Sequence, residues 1–145
     1  MYNLKLFKFK LTKVNFFLLF AYIFSFLFIV KANAERINII VNTNIFNLQT
    51  IDLSDYVDLK PYVGYRITSM VINGSAIQFG NSSVDLYFND RLLAKSNMFS
   101  SFNQFKDIQM LFLPILNEKN SLTFQVSNQF EVYKIFLDVQ KNTPN

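Results

Sequence analysis

Apolar and polar positions alternate along most of the chain beyond residue 35, in short runs separated by Asn, Ser, Gly and Asp. A period of two sends successive side chains to opposite faces of an extended chain, so these runs predict half-buried strands. Residues 84–88 are the clearest case, with Val84, Leu86 and Phe88 alternating with Asp85 and Tyr87. Leu122, Phe124 and Val126 repeat the pattern against Thr123 and Gln125. Residues 130–139 predict a last strand with Tyr133, Ile135, Leu137 and Val139 inward and Lys134, Asp138 and Gln140 outward; Phe136 interrupts that outward face. Residues 65–73 carry apolar side chains on both faces, Ile67 and Val71 on one, Met70 and Ile72 on the other. That pattern suits a central strand, covered on both sides or set near a sandwich corner. Asn73-Gly74 behind it is a favoured turn pair.

The remaining runs are shorter. Residues 36–41 predict a first strand broken at Asn42-Thr43-Asn44, and residues 45–51 a second one at a sheet edge. Residues 52–59 read as a loop with one helical turn, opened by capping residues and closed ahead of Pro61. Residues 76–79 predict a short strand, and residues 92–95 complete a hairpin with 84–88 through Asn89-Asp90-Arg91. Residues 108–113 are apolar enough to be buried. The sum is about eight short strands with turn signals roughly every 8–12 residues and no sustained helical period, which predicts an all-β fold, an antiparallel β-sandwich of jelly-roll-like or Ig-like form. Residues 141–145 read as a frayed tail.

The N-terminus has a different pattern. Residues 16–30 are almost wholly apolar, follow Lys5, Lys8, Lys10 and Lys13, and lead into Ala32-Asn33-Ala34. A basic stretch, an apolar stretch and a small-x-small exit form a secretory signal. The expectation is a signal helix in residues 1–34, cleaved after Ala34, and a sandwich domain in residues 35–145. Lys31 raises the alternative of an uncleaved anchor, but 15 apolar positions fall short of the about 20 that a spanning helix needs. The protein is therefore expected to be exported, to the periplasm or beyond the cell, and to meet a membrane only through this segment if it is kept.

That division changes the charge. The chain has 14 basic and 10 acidic residues, for a net charge of +4. Five of the lysines and none of the acids lie before residue 35, which leaves nine basic residues against ten acids and a net charge near −1. Nucleic-acid binding is accordingly not expected. The sequence has no His and no Cys, which removes the Ser-His-Asp triad, the Cys nucleophile and the usual zinc sites. No cofactor is implied, and no disulfide staples the domain, so packing and strand pairing must hold it.

The segment from Gly64 to Ala76, with its run Tyr65-Arg66-Ile67-Thr68-Ser69-Met70-Val71-Ile72-Asn73-Gly74-Ser75, followed by Ser83-Val84-Asp85-Leu86-Tyr87-Phe88-Asn89-Asp90, resembles the paired strands of small, uncharacterised secreted bacterial β-sandwich proteins. The resemblance spans about a quarter of the 111 residues after Ala34 and implies a sandwich fold and an exported location. It carries over no catalytic residue.

Candidate chemistry is sparse. Phe99, Phe102 and Phe105 punctuate a polar stretch that reads as a loop, and they are the candidate ligand contacts: aromatic faces suit sugar rings or a partner's apolar patch. Their alternative role is a lid that closes one end of the core. Asp52, Asp55 and Asp58 would offer oxygen ligands to calcium if a helical turn aligned them, but the spacing is not that of an EF-hand, and a capped, solvated turn is the favoured reading. Asn73-Gly74-Ser75 and Asn81-Ser82-Ser83 match the N-glycosylation acceptor pattern and are also ordinary turn sequences. The expected function is a non-enzymatic binding or interaction module for a glycan or an envelope protein. The alternatives are an assembly protein that offers an open edge strand, from residues 45–51 or 130–139, and a small hydrolase with two carboxylates facing each other across a cleft.

Overall fold

Strand pairing accounts for most of the backbone in the computed structural model, which describes residues 34–78 and 80–142. The leader read from the sequence lies outside the described residues up to Asn33. Eight strands follow: β1 (Ala34–Ile45), β2 (Leu48–Asp52), β3 (Tyr65–Ala76), β4 (Ser82–Phe88), β5 (Arg91–Phe99), β6 (Gln104–Asp107), β7 (Ser121–Val126) and β8 (Phe130–Lys141). They form two four-stranded sheets, β1-β8-β3-β6 and β2-β7-β4-β5, with every neighbour antiparallel. This is the all-β sandwich that the alternation predicts. Two short 3-10 turns, Leu53–Asp55 and Lys60–Tyr62, sit between β2 and β3.

The inward face of each strand builds one core. In the β2-β7-β4-β5 sheet, Val84, Leu86, Phe88, Leu122, Phe124 and Val126 are buried at alternate positions, as their sequence pattern requires. In the other sheet the alternation changes phase. Phe130 and Val132 point inward from β8, and so do Ile135, Leu137 and Val139, although the two sets differ in parity. A bulge at Tyr133 reconciles them: Lys134 pairs with Asn73 and Val132 with Gly74, so β8 has one residue more than β3 at this level. Tyr133 consequently faces outward and not inward, with its hydroxyl donating to Glu131 Oε2 at 2.7 Å. A second bulge at Thr68 of β3 does the same service, and Ile67, Met70 and Ile72 all reach the core.

Bulges and turns also account for other departures from the sequence reading. The break expected at residues 42–44 is a bulge inside a continuous β1, where Asn42 takes φ +47°. The Asn73-Gly74 pair is not a turn, because β3 continues through it to Ala76. Gly74 is needed there for space: a Cβ would lie 2.5 Å from Phe130 Cζ and 2.6 Å from the Glu131 carbonyl oxygen. The expected strand at 76–79 is absent in the part described, since Ile77 and Gln78 form a bend. The β4–β5 hairpin is present and turns at Asn89-Asp90, both with positive φ as a tight type I′ connection demands. Its second strand runs to Phe99, well past the expected Lys95.

Residues 108–113, expected to be buried, are only partly so, and the segment they belong to runs on to Leu116. Ile108 and Leu116 are in the core, while Leu111, Leu113 and Ile115 are exposed. This segment is a strap along one side of the sandwich. Ile108 donates to the Met70 carbonyl and Leu111 to that of Leu93, while Ile67 donates to the Pro114 carbonyl and Leu116 to that of Tyr65. It therefore touches β3 in one sheet and β5 in the other. Strand β8, expected as an open edge, is internal and paired on both sides, by β1 and β3.

Gly74→Ala is expected to destabilise the fold by about 1–3 kcal/mol, the range for overpacking a site whose backbone cannot retreat. Chemical denaturation checks this, with Gly64→Ala as the reference for a glycine that has open space around it but a φ of +85°.

Candidate functional site

The outer face of the β1-β8-β3-β6 sheet carries the most distinctive surface group. In its register, Val71 lies opposite Phe136 on one side and Asp107 on the other, while Asn73 lies opposite Lys134 and Phe105. Phe105 and Phe136 are thus diagonal neighbours across β3, with ring centroids 6.0 Å apart and planes at 43°. Such diagonal pairs are within reach of aromatic side chains on one sheet face. Arg36 of β1 lies at the other side, where its Nε and Nη2 donate to Asp138 Oδ1 and Oδ2 at 2.7 and 2.8 Å. Arg36, Val71, Phe105, Asp107 and Phe136 line a shallow groove of about 390 Å³. Its chemistry is an aromatic pair beside a two-pronged ion pair and one further carboxylate.

The groove has a fixed floor. Asn73 is buried although it is on the outer face, and its Nδ2 donates to Asn103 Oδ1 and to the Gln104 carbonyl. Those bonds tie down the start of β6 and so place Phe105. On the inward side of the same strand, Lys106 extends its ammonium to the Met98 carbonyl at 2.8 Å. Β6 is short, but contacts on both faces hold it.

The three phenylalanines singled out in the sequence are not brought together. Phe99 is the inward-facing end of β5, fully buried, with its ring 4.6 Å from that of Phe130. It is a core residue and offers no surface to a ligand. Phe102 stands in the turn between β5 and β6 and is 78% exposed. Phe105 is 68% exposed and belongs to the groove. The sequence reading missed Phe136, Arg36 and Asp138. Phe136 had left a trace as the apolar residue on the outward face of the last strand, but nothing in the sequence paired it with Phe105.

The acidic triplet is local scaffolding. Asp52 caps the first 3-10 turn by accepting from the Ser54 amide and hydroxyl, and these bonds hold its carboxyl below the usual range. Asp58 accepts from the Lys60 amide at 3.0 Å. Among the described residues no three acids are placed to hold a metal ion together. Asn73, one of the two candidate glycosylation acceptors, is buried inside β3; Asn81 is exposed. In the groove, the Arg36 guanidinium bonded to Asp138 holds that carboxyl below the usual range as well. A general acid of the hydrolase kind needs the opposite shift.

Comparison with known proteins supports the architecture alone. No protein-family model and no curated protein matches the chain. Among solved structures, part of dimeric latent PorU from Porphyromonas gingivalis superposes with a TM-score of 0.51 at 12% identity, spanning 76% of this chain and 13% of that one. The tobacco streak virus coat protein superposes with a TM-score of 0.46 at 10% identity, spanning 79% of this chain and 90% of that one. The first likeness shows a shared sandwich fold; the chain spans only a small part of PorU's length. The second is too distant to carry an argument.

The ion pair gives a pH dependence. A carboxyl lowered in the folded state favours folding above its unfolded value, and that contribution is lost as pH falls through the folded value. Thermal melts below neutral pH should therefore show the unaltered protein losing more stability on acidification than Asp138→Asn, with the two curves converging at the acid end. Parallel curves would show that the Asp138 carboxyl contributes nothing to the acid limb.

Proposed function

We propose that this protein is an exported, non-enzymatic binding module whose ligand is carbohydrate and whose site is the groove between Phe105, Phe136 and the Arg36–Asp138 pair. The observation that carries this reading is the aromatic pair on the outer face of a sheet. Two rings beside a fixed arginine and two carboxylates offer apolar faces for a sugar's C–H surface and charged hydrogen-bonding groups for its hydroxyls. The side chains stand on paired strands, so little ordering is needed on binding. Glycan-array binding, followed by titration of hits, is the test. Phe105→Ala and Phe136→Ala are each expected to weaken binding by about fivefold, in line with ~1 kcal/mol for an aromatic contact. Phe102→Ala, at the exposed turn, should leave it unchanged. Full affinity in folded Phe105→Ala and Phe136→Ala variants would remove the groove as the site, and no binding to any glycan would leave an envelope protein as the ligand.

Export rests on the leader pattern, and the start of β1 is compatible with cleavage. Ala34, Glu35 and Arg36 are exposed at a sheet edge, and among the described residues Ile37 is the first buried one, so a cut after Ala34 removes no described core residue. Mass spectrometry of the protein recovered from an exporting host should give an N-terminus at Glu35. A mass that retains Met1 would make the module a tethered one.

A further inference from the structure

The two sides of the sandwich are finished differently. On one side the sheets end in β6 and β5. There the edge of β3 beyond β6 is covered by the strap of residues 108–116, and β5 is covered at Leu93 and carries a bulge with Ser96 at φ +53°. Β6 has only four residues and turns a lysine inward. Short strands, bulges, covering segments and inward charges are the devices that keep sheet edges from pairing with other chains. On the other side lie β2, which has five residues, and β1, which has twelve.

Β1 has few of these devices. It pairs with β8 along one edge, and among the described residues no backbone group bonds its other edge. From Ile37 to Ile45 it contains no charge and no proline, and it is rich in β-branched residues. Ile40 lies exposed on its outer face, at 54%, and the stretch from Ala34 to Ile40 is regular before the bulge at Asn42. Its two charges are already satisfied within the molecule, Arg36 by Asp138 and Glu35 by the Tyr62 hydroxyl at 2.6 Å.

We propose that β1 pairs antiparallel with β1 of a second copy of this chain about a two-fold axis near Ile39, joining two four-stranded sheets into one of eight strands. Two features select this occupant. An added strand must turn apolar residues toward the core side and polar ones outward, and β1 itself supplies that pattern with Ile37, Ile39 and Val41 against Asn38. Antiparallel self-pairing also lays the charged start of each strand against the uncharged half of the other, whereas parallel pairing would set Glu35 beside Glu35 and Arg36 beside Arg36. A two-fold contact uses the same surface on both copies and satisfies both open edges at once.

The chain has no cysteine, so single thiols can be placed without background. In the proposed dimer Ile40 and its counterpart are diagonal neighbours, roughly 7–8 Å apart. With the protein recovered from an exporting host, sedimentation equilibrium should show a dimer that dissociates on dilution. Ile40→Cys should be joined by a short bismaleimide, and Leu111→Cys, on the strap side, should not. Asn38→Lys combined with Ile40→Lys changes only exposed positions and sets like charges opposite each other. That variant should melt as the unaltered protein does at dilutions where the latter is a monomer, and be a monomer at concentrations where the unaltered protein is a dimer. A monomer at every concentration, a dimer that survives the two lysines, or equal cross-linking through Leu111→Cys would overturn the proposal. None of these outcomes depends on glycan binding by Phe105 and Phe136, which is scored separately.

Discussion

The bulge at Tyr133 is the constraint on which the larger of the two core faces depends. Β8 is paired on both sides, so every inward residue of β1 and β3 takes its position from β8's register. Without an extra residue at this level, Phe130 and Val132 would face solvent while Ile135, Leu137 and Val139 faced the core. A one-residue slip exchanges the two faces of a strand, and one bulge exchanges them only locally. Phe130 turned inward meets Phe99 and Phe124 and passes so close to β3 that only glycine fits at position 74. Tyr133 turned outward meets Ser75. Core packing on one face and the polar cluster on the other thus have one backbone origin.

How much of this the sequence discloses depends on whether alternation is unbroken. Β4 and β7 contain no shift in phase where Val84, Leu86, Phe88 and Leu122, Phe124, Val126 are read, and their inward faces follow directly from the pattern. Β3 and β8 contain bulges, so a uniform period assigns Tyr133 inward and splits Ile67 from Met70. Asn73-Gly74 misleads for a related reason: the pair is frequent in turns because glycine tolerates unusual backbone angles, but here glycine answers a close approach between strands 56 positions apart in sequence, since Gly74 lies against Phe130. No local reading contains that information. The site was legible only in part because Phe105 and Phe136 belong to strands that never pair directly and meet only across β3.

The groove and the open edge are linked through β1. Arg36 contributes to the groove from the same strand whose other side is, among the described residues, the longest uncovered edge of the sandwich. The strap on the opposite side makes the fold asymmetric: one flank is sealed by backbone bonds to both sheets, and the other ends in an extended, mostly neutral strand. Charges in β1 are confined to its first residues and are bonded inside the molecule, which leaves its edge governed by backbone hydrogen bonding and not by electrostatics.

The pairing of Ala34 with Gln140 has a consequence for how the domain sits in a longer polypeptide. The described chain enters along β1 and leaves along β8 at neighbouring points of one sheet end. A domain with adjacent entry and exit can be closed by a short linker, reopened at a surface turn such as Asn89-Asp90, or inserted into a loop of a host protein without stretching either junction. The sandwich is in this sense a plug-in unit whose order of strands along the chain is separable from their order in space.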